Sequence, residues 1–293
     1  MNMKRSITIG AKTNHPLTLK RFGYGTMRLT GDMVWGEPQN RPEALQILRT
    51  AISNDIKFLD TADYYGEDVT NRLIAEALYP YPEDLVICTK VGADRGPDKS
   101  WRVYDKPENL RASIDNNLKT LKIEQIPLVH FRIMPGSNTP IEESLNALFE
   151  MQKEGKILHV GISNVNSEEL KKALAIGNIA SVENAFSYSQ RTSVQVHGME
   201  LRGLQEVMDI CIKNDIIMVP FFSLLNASPE KDAKISVIAK KYRATEAQIH
   251  LAWLLHYNDL IIPIPGTSKL KHLEENIQAF HIALTDEDME FLG

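Results

Sequence analysis

Cysteine is scarce in this chain, with two residues in 293, which leaves no disulfide framework to build on. Cys88 and Cys211 lie far apart in the apolar runs "LVICTKV" and "VMDICI", and read as buried free thiols suited to a reducing compartment. Long hydrophobic runs are also missing. No stretch approaches the ~18 apolar residues of a membrane span, and the basic start "MNMKRSITIGAK" is not followed by the apolar segment of a secretory leader. A soluble, cytoplasmic protein is expected. Basic blocks are lacking as well: a formal charge of −5 without a lysine- or arginine-rich segment excludes an electrostatic footprint for DNA or RNA. Small-molecule chemistry is the expectation that remains. No strand leads into a G-x-G-x-x-G turn, so a Rossmann dinucleotide site is not indicated.

What the chain has is a regular alternation. Short β-branched runs, "RFGYGTM", "IKFLDTA", "LVICTKV", "IPLVHFRI", "ILHVGISN", "IASVENAF", "IIMVPFFS" and "LIIPIPG", are separated by segments of helical periodicity such as "PEALQILRTAISND" and "PIEESLNALFEMQKEG". Several of these helical segments open on a Pro or a Ser/Thr/Asn cap. Eight strand and helix pairs without a Pro/Gly/Ser-rich linker predict an α/β fold, a single (β/α)₈ TIM barrel domain spanning residues 1–293. In such a barrel the active site lies at the C-terminal ends of the strands.

The polar residues at those ends are Asp60, Asp63, Tyr64 and Tyr65, then Lys90, then His130 and Arg132, followed by Ser163, Asn164, Glu183, Asn184 and the run from Gly266 to Lys269. A lone strand-end lysine usually just reaches solvent. Here "FLDTADYYG" supplies a carboxylate and a phenol five residues apart on the neighbouring strand, and Lys90 can stand between them. His130 and Arg132 sit two apart in one strand, so the period of two puts both on one face and does not choose between them.

The motifs "FLDTADYYG", "VICTK", "HVGISN", "VPFFSLL" and "IPGTSKLKHLEEN", in this order and spacing, resemble the aldo-keto reductase superfamily over nearly the whole chain, most closely a bacterial branch that includes pyridoxal reductases. The resemblance implies an NADP(H)-dependent carbonyl reductase. Its general acid would be Tyr65, with Lys90 beside it and Asp60 holding that lysine charged. A phenol of unperturbed pKa near ~10 is a reluctant acid, and a nearby ammonium favours phenolate, so a depressed Tyr65 pKa is expected. Asp63 is expected to cap the following helix. The family usually has histidine at the end of the fourth strand. Counting from "LKTLKIEQIPLVHFR" puts that position at Arg132 and leaves His130 two residues deeper, as a hydrogen-bonded core histidine. A guanidinium there would polarise the carbonyl and stabilise negative charge on its oxygen. The blander alternative is a salt bridge from Arg132 to a loop carboxylate.

By the same resemblance the nicotinamide nucleotide would lie across the strand ends, against Gly25, Thr26 and Met27. Ser163 and Asn164 would hold the carboxamide and Phe221 would stack on the ring. Glu183 replaces the usual glutamine as a carboxamide acceptor, where its charge would favour hydride donation; pairing with Arg191 or Lys213 is the alternative. Gly266, Thr267 and Ser268 would lead into a capped helix whose N-terminus, with Lys269 and Lys271, suits a 2′-phosphate. Glu275 and Asn276 would meet the adenine. No metal is expected.

Trp35 on the first long loop and Trp101 and Tyr104 on the third, with Tyr64, would form an apolar pocket for aromatic aldehydes such as pyridoxal. The short end after "LTDEDMEFLG" suggests an open site. Two other readings remain: a non-catalytic nucleotide-binding module of the same fold, as in channel β-subunits, and a Schiff-base aldolase using Lys90.

Overall fold

Helix α1 (Arg41–Ser53) shows how the outer layer forms. Asn40 caps it by accepting the Glu43 N–H at 3.2 Å, Pro42 presets the first turn, and Ala44, Ile47, Leu48 and Ala51 form one buried stripe at helical spacing. Truncating Leu48 to Ala in such a stripe costs about 2–5 kcal/mol. The computed structural model describes residues 3–196, 199–202, 204–224 and 229–293.

The chain opens with an antiparallel hairpin, β1 (Ser6–Ile9) and β2 (Leu17–Lys20). Seven parallel strands then follow in spatial order: β3 (Tyr24–Gly25), β4 (Phe58–Asp60), β5 (Val86–Arg95), β7 (Ile126–Arg132), β8 (Ile157–Ser163), β9 (Ser181–Glu183) and β12 (Ile217–Met218). The segment 260–264 closes the ring. Met218 donates to the Leu260 carbonyl, Ile262 donates to Met218, and Gly23 donates to Pro263. This eighth strand joins the seventh through a single bridge, Met218 to Ile261, rather than a full ladder; residue 263 faces the first strand through its carbonyl, and Pro263 and Pro265 have no N–H to add there. The result is a (β/α)₈ barrel.

Between the strands come α1, α2 (Val69–Leu78), α3 (Pro107–Leu121), α4 (Ile141–Lys153), α5 (Ser167–Ile176) and α6 (Gln205–Asn214). Two helices, α7 (Pro229–Tyr242) and α8 (Glu246–Tyr257), fill the seventh connection, and α9 (Leu270–Gln278) and α10 (Asp286–Leu292) end the chain. No helix among the described residues is long and apolar enough to cross a membrane.

The strand alternation sorts side chains into two cores. Phe58, Val86, Cys88, Leu128, Ile262 and Ile264 point inward and pack on Ile7, Ile9 and Leu19 of the hairpin, which plugs the N-terminal end. Leu59 and Ile87 point outward onto α1 and α2, and Val129 and Val182 onto the helices of the opposite wall. Cys88 and Cys211 are both buried free thiols. The third loop differs from expectation. "GADRGPDKSWRVY" is a hairpin in which β5 runs on to Arg95 and pairs antiparallel with β6 (Trp101–Tyr104), because the β-forming run WRVY follows a turn that Asp98 holds through Ser100. A second hairpin, β10 (Val194–Val196) with β11 (Met199–Leu201), lies ahead of α6.

Candidate active site

Register places the inward-facing polar residues together above the apolar plug. Gly25 aligns with Asp60 and Asp60 with Cys88; Lys90 aligns with His130; Arg132 aligns with Ser163, and Ser163 with Glu183. The Lys90 ammonium pairs with Asp60, lies 3.3 Å from Glu183 Oε1, and donates to the Thr61 carbonyl at 3.3 Å. It stands 5.1 Å from the centre of the Tyr65 ring. Lys90, Asp60 and Glu183 are at most 3 % exposed, so removing one partner from this group would strand the others and cost about 3–5 kcal/mol.

The titration of these groups follows from burial and charge. Burial alone would lower Lys90, but Asp60 and Glu183 hold it well above the usual lysine range. Two carboxylates face one ammonium and titrate as a unit. Asp60 is pushed up to about 8 by burial and by Glu183, against the pull of Lys90. Burial also acts to raise Glu183, yet Lys90, His130 and Arg132 together bring it down to about 2. Tyr65 corrects an expectation: burial pushes its phenol up to about 12, and Lys90 offsets only part of that rise.

His130 is fully buried. Its Nδ1 lies 2.8 Å from Glu183 Oε2 and 3.1 Å from Cys88 Sγ, and its Nε2 is 2.7 Å from Ser181 Oγ. Gly161 makes room for the ring, since a Cβ there would come within 2.4 Å of His130 Cδ2. Asp60, Cys88, His130 and Glu183 present donor atoms within 4.8 Å of one another, and two of them, Asp60 and Glu183, hold the Lys90 ammonium. The expected alternative partners of Glu183, Arg191 and Lys213, are not the ones it meets. Arg191 instead donates to the Gly293 carbonyl and lies over Trp253.

Arg132 ends β7, half-buried, with its guanidinium 5.5 Å from the centre of the Phe221 ring. Among the described residues it has no hydrogen bond or ion pair, so the loop salt bridge does not form there. Tyr64 packs edge-on against Tyr65 at 5.4 Å and against Trp101 at 5.7 Å, and its buried hydroxyl has no partner among the described residues. Arg95 lies 4.2 Å from the Trp101 ring centre and 5.6 Å from that of Trp35, tying the first and third loops into one aromatic wall. Nothing in the sequence pointed to Arg95. Asp63 does not cap α2: the N-cap position is Asp68, whose N–H bonds the Asp63 backbone carbonyl at 2.7 Å.

The residues expected at a nucleotide divide into two groups. Gly25 and Gly266 meet across the seam between first and eighth strands, where a Cβ on Gly25 would come 2.8 Å from the Ile264 carbonyl and one on Gly266 2.7 Å from the Gly25 carbonyl. Thr26 is buried and bonds the Asp60 carbonyl, while Met27 packs on the cluster of Tyr64 and Tyr65. Ser163 Oγ is buried without a partner among the described residues. Asn164 differs from expectation. Its Oδ1 accepts the Arg202 N–H at 2.9 Å and its Nδ2 donates to Ile133 and Glu200, so the amide is committed to neighbouring backbone.

At the start of α9 the N-cap position is Lys269 rather than Thr267 or Ser268. Thr267 Oγ1 accepts the Lys269 N–H at 3.1 Å, Ser268 is exposed, and Glu43 accepts the Leu270 N–H at 3.2 Å. Lys271 lies 3.7 Å from Glu275 on the surface, and Asn276 is buried. Glu43 belongs to α1, and its place here left no trace in local sequence.

A barrel whose strand ends bring an aspartate, a lysine and a tyrosine together defines a class, and the chain's match to the aldo/keto reductase family model over residues 21–292 assigns it: this chain belongs to the aldo/keto reductase family and is an oxidoreductase. It is 36% identical to pyridoxine 4-dehydrogenase of Escherichia coli over 98% of this chain and 96% of that protein. It is 30% identical to probable aldo-keto reductase 1 of Glycine max, covering 92% and 84% of the two chains. Among solved structures, a thermostable aldo-keto reductase in complex with the inhibitor epalrestat superposes with a TM-score of 0.81 at 27% identity, over 100% and 98% of the chains. An aldo/keto reductase of Klebsiella pneumoniae, solved with NADP and acetate, shares the fold with a TM-score of 0.76 at 18% identity, over 99% and 94%.

Proposed function

We propose that this chain, as one barrel domain over residues 1–293, reduces the carbonyl of an aldehyde to an alcohol with NADPH, and that the aldehyde is aromatic, with pyridoxal the leading candidate. The observation that carries this reading is the buried group of Asp60, Lys90 and Tyr65, with the ammonium 5.1 Å from the phenol ring. NADPH would supply the hydride. Tyr65 gives its hydroxyl proton to the carbonyl oxygen, Lys90 steadies the phenolate left behind, and Asp60 holds Lys90 charged and aimed. Arg132 directs N–H donors at the same oxygen as negative charge develops on it.

The unpartnered Ser163 hydroxyl, the Phe221 face and the glycine-lined seam at Gly25 and Gly266 suit a nicotinamide nucleotide laid across the strand ends. Lys269 and the start of α9 suit its 2′-phosphate, with Thr267, Lys271, Glu275 and Asn276 nearby on the same segment. The NADP complex of the K. pneumoniae protein, which shares this fold, supports that choice of nucleotide. Substrate class is supported by the aromatic wall of Trp35, Tyr64 and Trp101 and by the likeness to a pyridoxine dehydrogenase, since oxidation of that alcohol yields an aromatic aldehyde.

The test is NADPH oxidation by the purified chain against pyridoxal, other aromatic aldehydes and aliphatic aldehydes, with Tyr65→Phe as control. Turnover of aromatic aldehydes that disappears in Tyr65→Phe is expected. Tight NADPH binding with no carbonyl reduced would replace this reading by a non-catalytic nucleotide-binding module.

A further inference from the structure

We infer that Glu183 is a positioning residue for the catalytic lysine: with Asp60 it clamps the Lys90 ammonium from two sides, and through His130 it fixes that clamp to the barrel wall. This deepens the reductase reading and rests on its assignment of Tyr65 as the acid. Glu183 Oε1 lies 3.3 Å from Lys90 Nζ, and Oε2 lies 2.8 Å from His130 Nδ1, a close charge contact although Oε2 has no hydrogen-bond partner among the described residues. The carboxylate is 1 % exposed, and the ring that holds it is itself held at Nε2 by Ser181. Its two oxygens thus lie against Lys90 of β5 and His130 of β7, inside the barrel.

The charged and titratable groups facing Glu183 are Asp60 on β4, Cys88 and Lys90 on β5, His130 and Arg132 on β7, and Tyr64 and Tyr65 on the loop after β4. Its register partner on β8, Ser163, carries no charge. The chain departs from its family's usual pattern at two of these positions. Arg132 replaces a histidine and adds a fixed positive charge; Glu183 replaces a glutamine and adds a negative one beside Lys90. The two changes offset each other. A second anion on Lys90 weakens the field by which that ammonium stabilises the Tyr65 phenolate, and Arg132 restores it from the other side. Without the Glu183 charge, Lys90 and Arg132 would face Asp60 alone, and the phenol would become more acidic.

The experiment is an absorbance titration of tyrosinate in the full chain from about pH 9 to 12.5, with Tyr65→Phe variants subtracted to isolate Tyr65. Glu183→Gln, close in shape and uncharged, should bring ionisation of Tyr65 down by about one pH unit. The alkaline decline of kcat should move with it, and NADPH affinity should change less than two-fold. Glu183→Asp, which keeps the charge one methylene further back, should shift in the same direction by less, and it carries the test if the Gln variant does not fold. An unmoved Tyr65 titration in the folded variants, above all with weakened NADPH binding, would overturn the inference and return Glu183 to the cofactor. The titration needs no substrate, so a wild-type chain that reduces no aldehyde would refute the reductase reading and leave this result readable.

Discussion

The Glu43 carboxylate on α1 accepts the backbone N–H of Leu270 at 3.2 Å and lies 3.5 Å from the Lys269 ammonium. The Leu270 N–H and then Lys269 lower its pKa, so it is anionic at neutral pH. An acid therefore holds the helix start that suits a phosphate, and a 2′-phosphate arriving there must compete with it. Glu43→Gln should bind NADPH about two- to five-fold more tightly, with NADH unchanged, read by quenching of protein fluorescence. Equal gains for both nucleotides would place the 2′-phosphate elsewhere.

Arg132 is an electrophile in the proposed reaction, and it has no ion pair or hydrogen bond among the described residues to lose on substitution. Arg132→Ala should lower kcat for a good aromatic aldehyde more than about ten-fold while leaving the melting temperature close to that of the wild type. Near-normal turnover in that variant would remove Arg132 from the mechanism.

Burial keeps the Tyr65 phenol protonated, with its pKa pushed up to about 12. A general acid is active in its protonated form, below its pKa, so reductive kcat should stay level through neutral pH and fall only above about pH 10. Lys90→Met removes the chief stabiliser of the phenolate and should lower kcat at pH 7 by at least about ten-fold, moving the decline further upward. A wild-type decline centred near neutral pH would belong to another group.

Arg95 donates to the carbonyls of Met33, Val34 and Lys99 and stacks on Trp101, so one side chain fastens both loops above the site. Arg95→Ala should raise KM for aromatic aldehydes by about three- to ten-fold with a smaller effect on kcat. An unchanged KM accompanied only by a lower melting temperature would reduce Arg95 to a structural role.

Arg21 is fully buried and donates to the carbonyls of Lys4, Leu255, Asn258 and Ile261 and to Asp259, joining the first strand to the end of α8 and the eighth strand. Arg21→Ala should destabilise the fold by about 3 kcal/mol or more, because several buried carbonyls lose their donor together. Urea denaturation checks this; a loss below about 1 kcal/mol would show that the seam closes without it.

The order of strands and the inward direction of the site residues were legible in the sequence. A period of two places Leu128, His130 and Arg132 on one face, and Val86, Cys88 and Lys90 on another, wherever those strands go. The same rule put His130 below Arg132.

The partners of these side chains were decided by the tertiary structure. Spacing along a strand sets which face a residue takes, but the stagger between strands sets which residue on another strand it meets. Hence Glu183 pairs with Lys90 and His130 rather than with Arg191 or Lys213, and Glu43 reaches a helix start 227 residues away. Acidity was decided there too. The sequence placed an ammonium beside Tyr65 and so pointed to a lowered pKa, whereas enclosure by the closed barrel removes water from the phenolate and outweighs that charge.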